Sequence, residues 1–418
     1  MKNIFRFPEI RKKILFSILI IMFFRLIAHV PVPGVDVAAI RQFLQTSVFF
    51  GLFDLFSGGG FQNFSIVTLG LAPYINVSIV LQMLTVMVPK LEELAKEGEY
   101  GREKINMYTR LATVPMALVQ SYGIYFLLSR QGVIGSLGSF DLIILILTLT
   151  GGALLLVWLG ELVTEYGVGN GISLLIFVSI ISRLPQAAAS FFSTLNSYNI
   201  MSGLIFVVVA LVVIVGVVLV NEGTRNIQIE YGRRGVRSEK ITNFLPIKIN
   251  QAGVIPIIFA VSVVLVPSML AAPMQASSTE ALQNIGYFLS TNFSSNTIAY
   301  NSLYFLLVFG FTYFYTSIQF NPEKIADDVK KRGGFIPGIR PGKATAQYLK
   351  KIVDRITLAG ALFLGLIAIL PFLVQTGVGT TALSIGGTGL LIAVSVVLET
   401  IRQIESLTVS RSYESFLK

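Results

Sequence analysis

Few residues in this 418-residue chain have the type and spacing that bond-making chemistry demands. It has one histidine, His29, and no cysteine, which excludes a site built on two imidazoles or on thiolates. No HExxH helix, GxSxG elbow, phosphate-cradling P-loop or cluster of metal ligands occurs along it, so the sequence predicts neither an enzyme nor a cofactor. Arg25 and His29 stand one helical turn apart, the spacing of a satisfied internal contact rather than of a site. More telling are aliphatic pairs: Ile75 with Ile79, and Ile176 with Ile180, each spaced so that both side chains leave one face of a helix. Such pairs ordinarily serve as core or lipid contact, and lining a pore is their rarer use.

One cation is singled out by its surroundings. Arg340 sits at the tip of FIPGIRPG, between two corners made of proline and glycine. A guanidinium on so constrained a turn is placed to clamp a partner's phosphate or carboxylate, because the turn has already lost most of its entropy. Tying the loop to its own carbonyls is the alternative use.

These residues are carried by an unusually apolar chain. Hydrophobic residues make up 54% and charged ones 13%, and the mean hydropathy is +0.75, so length here counts membrane spans rather than soluble domains. Apolar runs suited to about 30 Å of hydrocarbon fall near 14–32, 69–88, 111–129, 140–160, 171–185, 203–221, 252–270, 302–320, 356–374 and 383–401. The first, preceded by Lys2, Arg6, Arg11, Lys12 and Lys13, reads as a retained span and not a removed signal peptide.

Ten crossings put both termini on one side. That side also receives the loops 90–110, 222–250 and 321–355, and with them every Lys and Arg except Arg25, Arg41, Arg130 and Arg183. The excess of cations makes it cytoplasmic. A net charge of +10 suits ribosomal RNA, acidic proteins or anionic lipid headgroups as partners, although setting topology already accounts for most of it.

Three connecting stretches add detail. Residues 222–250 alternate apolar and polar side chains around Ile227, Ile229 and Tyr231 and turn at GRRG, which predicts a basic hairpin. Asn321 and Pro322 open a helix that should end at Gly333 and Gly334. The third stretch, FFGLFDLFSGGGFQNF from Phe49 to Phe64, is apolar but broken by Asp54 and by Gly58, Gly59 and Gly60. It is too short to cross, so it is either a re-entrant element, with the glycines as hinge, or an external loop packed on the bundle. A weak echo between APYINVSIVL from Ala72 and VIPIIFAVSVVL from Val254, five spans apart, suggests an inverted repeat with halves 1–199 and 200–418.

Taken together, PVPGVD at 31–36, LGLAPYINVSIVLQML at 69–84, EGEYGREKINMYTR at 97–110, YGVGNGISLLIF at 166–177, NQAGVIPIIFA at 250–260, PGIRPGKAT at 337–345 and GGTGLLI at 386–392 resemble the SecY family, the channel-forming subunits of the bacterial Sec protein translocon. The resemblance covers nearly the whole chain. It implies an all-α integral membrane protein of the bacterial plasma membrane, with ten transmembrane helices in two pseudo-symmetric inverted halves, a lateral gate between spans 2 and 7, and a re-entrant plug.

Carried over by motif, the resemblance implies a pore ring of Ile75, Ile79, Ile176, Ile180, Ile258 and Ile392. Such a ring would dewet and block ions while offering a passing peptide no partner. The plug falls on Phe53, Asp54, Phe56, Gly58, Gly59 and Gly60, and Gln120 with Asn250 would latch the gate. Arg225, Arg233, Arg234, Arg237, Lys240 and Arg340 would dock the ribosome or the SecA motor ATPase, which must be a separate chain because this one has no P-loop. The implied partners also include SecE and SecG, signal-bearing preproteins and membrane lipid. Two other functions remain open from the residues alone: a secondary transporter with a midplane substrate site, and a non-conducting insertase scaffold. A transporter needs polar ligands near residue 75, where the chain supplies Ile75, Val77 and Ile79 beside Asn76 and Ser78.

Overall fold

The computed structural model describes residues 7–33, 35–46, 57–135, 137–183, 185, 189, 200–231, 242–275, 277, 279–294, 297–378 and 386–416. Helices dominate them, as expected where hydrocarbon leaves the backbone no partner but itself. The first half contains α1 Pro8–Ile27, α2 Val37–Thr46, α3 Ala72–Met87, α4 Pro89–Lys96, α5 Glu99–Arg130, α6 Ser139–Tyr166 and α7 Gly171–Ile181. After it come α8 Ile200–Glu222, β1 Thr224–Tyr231, β2 Thr242–Lys248, α9 Ile255–Gln275, α10 Glu280–Asn292 and α11 Ile298–Gln319. The chain closes with α12 Pro322–Lys331, β3 Gly334–Phe335, α13 Lys343–Val378 and α14 Gly386–Phe416.

Each apolar run of the sequence overlaps one of these helices. Among the described residues, Glu99–Arg130, Ser139–Tyr166, Ile298–Lys331 and Lys343–Val374 are long and apolar enough to cross a bilayer on their own, and the bent pair α3 and α4 makes a possible fifth. Hydropathy underestimates helix length at the watery ends: α5 begins at Glu99 and α13 at Lys343, well before their apolar runs. The short helices α2, α4 and α10 carry too little apolar length to be seen that way.

The chain divides into two compact units, Met1–Ile200 with Val396–Lys418, and Met201–Ser395. In the first, α1 and α5 pack on α6, α3 packs on α5, and α6 packs on α7. Leu145, Leu149 and Ala153 of α6 meet Ala117, Ile124 and Leu128 of α5, and the core is completed by Phe61 and Phe64 from the coil before α3. Helix α3 stops at Val88 because the residue before a proline is driven out of the helical region. Val88 is extended, and α4 leaves at 99°.

In the second unit α9 packs on α10 and α11, and α13 packs on α11 and α12. The expected hairpin is present, β1 pairing with β2 from Thr224↔Lys248 to Glu230↔Thr242. The sequence did not foretell β3, which pairs with the other edge of β1 through Glu230↔Phe335 and Tyr231↔Gly334. A helical protein therefore carries one three-stranded sheet, in the order β2, β1, β3. Its apolar face, Ile227, Ile229 and Ile247, shares a core with Ile336, Leu349 and Ile352. Hairpin and loop 321–355, read from sequence as separate, are one lobe.

Candidate functional site

The six isoleucines expected to form a pore ring are divided between the two units. Ile75 and Ile79 stand on α3 and Ile176 and Ile180 on α7, in the first; Ile258 on α9 and Ile392 on α14 lie in the second. Ile79, Ile176, Ile180 and Ile392 are buried, and Ile75 and Ile258 are half-buried. Asn170 starts α7 by accepting the Ser173 amide at 3.1 Å, which sets where its isoleucine face begins.

The coil 57–71 is built against that helix. Gly58 has φ +66°, a conformation that side-chain-bearing residues rarely adopt. A Cβ there would lie 3.1 Å from the Ser179 Cα, one residue from Ile180, and 3.2 Å from the Phe24 ring. Beyond Gly58 the coil is held from several directions. The Arg25 guanidinium donates to the Gly58 carbonyl at 2.6 Å, and that of Arg183 to Gln62 Oε1 at 3.0 Å. The Val32 amide donates to the Phe64 carbonyl at 2.9 Å, and the Ile66 amide to that of Val30 at 3.1 Å. Phe64, fully buried, has φ +42°, a strained value for an aromatic residue that its neighbours must enforce.

The glycine triple expected as a hinge is thus packed: Gly58 and Gly60 are buried and Gly59 is half-buried. Phe53, Asp54 and Phe56 lie outside the described residues. Arg25, expected to make an internal contact, makes one, and its own carbonyl is 2.8 Å from His29 Nδ1.

The two residues expected to latch a gate differ in their bonding. Gln120, half-buried on α5 in the first unit, has its Oε1 buried without a hydrogen-bond partner. Asn250, in the second unit, donates its amide to Asn221 Oδ1 at 2.8 Å and to the Gly253 carbonyl at 3.2 Å, while its own Oδ1 has no partner. Asn221 in turn donates to Ser395 Oγ at 2.7 Å. Sequence reasoning missed Asn221 and Ser395; the only signal was a lone amide at the end of an apolar run.

On the lobe, Arg225 is exposed on β1 and Arg340 is exposed at its turn. Gly338 and Gly342, with φ of +79° and +101°, make the two corners. Thr345 Oγ1 donates to the Arg340 carbonyl at 2.9 Å, so the tip is fixed through its backbone. Arg233, Arg234, Arg237 and Lys240 lie outside the described residues. Next to the turn, a groove of about 840 Å³ opens between α11, α12 and α13, and its lining includes Lys343, Lys350, Glu323, Asp327 and Asp354. On the α5 extension, the Lys104 ammonium lies 4.5 Å from the Tyr100 ring centre.

The isoleucine faces offer no ligand to a solute, and the lobe presents exposed cations at Arg225 and Arg340. The family model for SecY matches residues 65–401. The SecY protein translocase subunit of Mycobacterium tuberculosis is 41% identical, over 99% of this chain and 98% of that one. That of Thermus thermophilus is 41% identical, over 98% and 95%. In fold, the chain is similar to a solved protein-conducting channel, with a TM-score of 0.62 at 18% identity over 96% of this chain and 93% of the other. It is also similar to Sec61 of the canine ribosome-channel complex, with a TM-score of 0.58 at 17% identity over 96% and 93%.

Proposed function

Since the chain belongs to the SecY family, we propose that it is the gated channel through which unfolded preproteins leave the bacterial cytoplasm and from which membrane proteins enter the lipid sideways. It is a multi-pass membrane protein and a channel rather than an enzyme. The reading assigns it ten crossings, with both termini and the sheet-bearing lobe in the cytoplasm, as the distribution of Lys and Arg requires.

The observation that carries the reading is the coil 57–71 seated against α7 beside Ile180. A protein-conducting pore must pass a bulky chain and yet hold back ions. Aliphatic side chains suit both demands: they dewet a constriction, and they yield around a substrate without breaking a directional bond. In this reading Ile75, Ile79, Ile176, Ile180, Ile258 and Ile392 form the ring, and the segment with Phe53, Asp54, Phe56, Gly58, Gly59 and Gly60 is the plug. Gln120 and Asn250 are the polar pair of the lateral gate, each with a buried carbonyl oxygen left to satisfy. Signal sequences of sufficient apolar length gain free energy by passing into lipid, whereas polar segments do not.

Energy comes from outside the chain. Arg225 and Arg340, with Arg233, Arg234, Arg237 and Lys240, present the docking face for SecA or the ribosome, and SecE and SecG complete the membrane complex. The test is reconstitution of the chain with SecE in liposomes, followed by SecA- and ATP-driven entry of a signal-bearing preprotein into protease protection. Protected preprotein is the expected outcome; its absence, with SecE and SecA shown to be bound and active, overturns the channel reading in favour of a transporter or a scaffold.

A further inference from the structure

We propose that α10 is an interfacial helix, lying in the lipid headgroup region at the end of α9 opposite the sheet and tying that end of α9 to the bilayer. The inference rests on the membrane-channel reading and adds to it a lipid-binding element that neither hydropathy nor motif reveals.

Three features place the helix. Its 13 residues cannot cross the hydrocarbon. Four residues, 276–279, link it to α9, and five, 293–297, link it to α11. At about 3.3–3.6 Å per residue, neither link lets it stray more than roughly 20 Å from the end of a span. It must therefore lie near the level where α9 leaves the hydrocarbon.

Its orientation is fixed as well. Gly286 faces α9 so closely that a Cβ would come within 2.6 Å of the Gln275 amide nitrogen and 3.0 Å of the Ala271 carbonyl. Gln275 Nε2 donates to the Gly286 carbonyl at 3.1 Å and to Ser290 Oγ at 2.7 Å. With Gly286 turned toward α9, helical geometry puts Leu282, Ile285, Phe288 and Leu289 on one flank and Glu280, Gln283, Asn284 and Thr291 on the other. Ile285 and Phe288 are 46% and 60% exposed. The spans on either side present the same kind of surface, with Leu270 of α9 and Leu306 of α11 at 49% and 63%.

Lipid is the occupant that fits. The helix carries no Lys or Arg and only Glu280 as an acid, so a charged partner finds nothing to pair with on its apolar flank. An apolar flank beside a polar one, held at the level of a membrane surface, is the arrangement that inserts a few ångströms below the headgroups. Because Gln275 and Gly286 join the two helices, movement of α9, the candidate gate helix, carries α10 through the interface.

The chain has a single tryptophan, Trp158, so a W158F background allows one reporter at a time. The full-length protein is reconstituted in vesicles whose acyl chains are brominated close to the headgroup, and fluorescence is read against brominated lipid and against aqueous iodide. F288W and I285W should lose about half their emission to brominated lipid and resist iodide, as L306W on α11 does, while E280W on the other flank answers to iodide. If F288W and I285W behave like E280W while L306W is quenched by bromine, the interfacial placement is overturned and the membrane reading is untouched. If L306W also escapes bromine, the membrane reading fails with it.

Discussion

The coil at 57–71 and the turn at 334–346 both rely on left-handed glycines, and they are held in different ways. The coil is buried: Phe61 and Phe64 sit in a helical core, and Arg25 of α1 and Arg183, in the turn just past α7, reach it. The turn is exposed, held from behind by the β3 pairing and by Ile336 in the core of the lobe, with Arg340 pointing outward. Gly58 in the first serves close approach to a neighbouring helix; Gly338 and Gly342 in the second serve curvature alone. The open corners show this, since a Cβ added at Gly338 or Gly342 would meet nothing, whereas one at Gly58 would meet Ser179 and Phe24. A buried segment and an exposed one can thus share local conformation and differ entirely in what surrounds them.

That contrast is best attacked at Gly58. Gly58→Val adds both an unfavourable φ and an overlap with α7, together costing about 3 kcal/mol or more, so the coil should leave its seat roughly a hundredfold more often. Ion flux through proteoliposomes without a preprotein should rise accordingly; flux as low as in the parent chain would show that the coil's seat has no bearing on the seal. A smaller change is expected at Ile180→Asn, which replaces a branched aliphatic side chain with a buried amide at a cost of about 1–3 kcal/mol. Resting vesicles should then leak on the order of tenfold more, and tightness there would remove Ile180 from the pore ring. Smallest is Arg340→Glu. Reversing one exposed charge on the lobe should weaken SecA or ribosome binding by about threefold to tenfold, read by titration at low salt, with no added leak. A leak in that variant would mean that the turn and the seal are not separate devices.

The sequence by itself determined the class of protein and much of its layout. Apolar length fixed where the helices lie, because a spanning segment must be apolar along its whole extent. The alternation around Ile227 and Ile229 foretold the hairpin, and Asn321 with Pro322 foretold the start of α12, where the Asn321 side chain accepts the Lys324 amide at 3.0 Å. These are local signals, with cause and effect a few residues apart. The motifs carried the family for the same reason, as fixed residues at fixed short spacings.

Only the tertiary structure decided the rest. That β3 closes the sheet on β1, that Asn221 binds Asn250, and that Gly58 is packed rather than free all depend on residues far apart in the chain. Ser17 illustrates the limit: its hydroxyl accepts the Val168 amide, 151 positions away, at 3.0 Å. A serine in an apolar run signals at most that some partner exists, because a buried polar group must be satisfied. Which partner it finds is set by how helices pack, and packing is a property of surfaces that no short stretch of sequence contains.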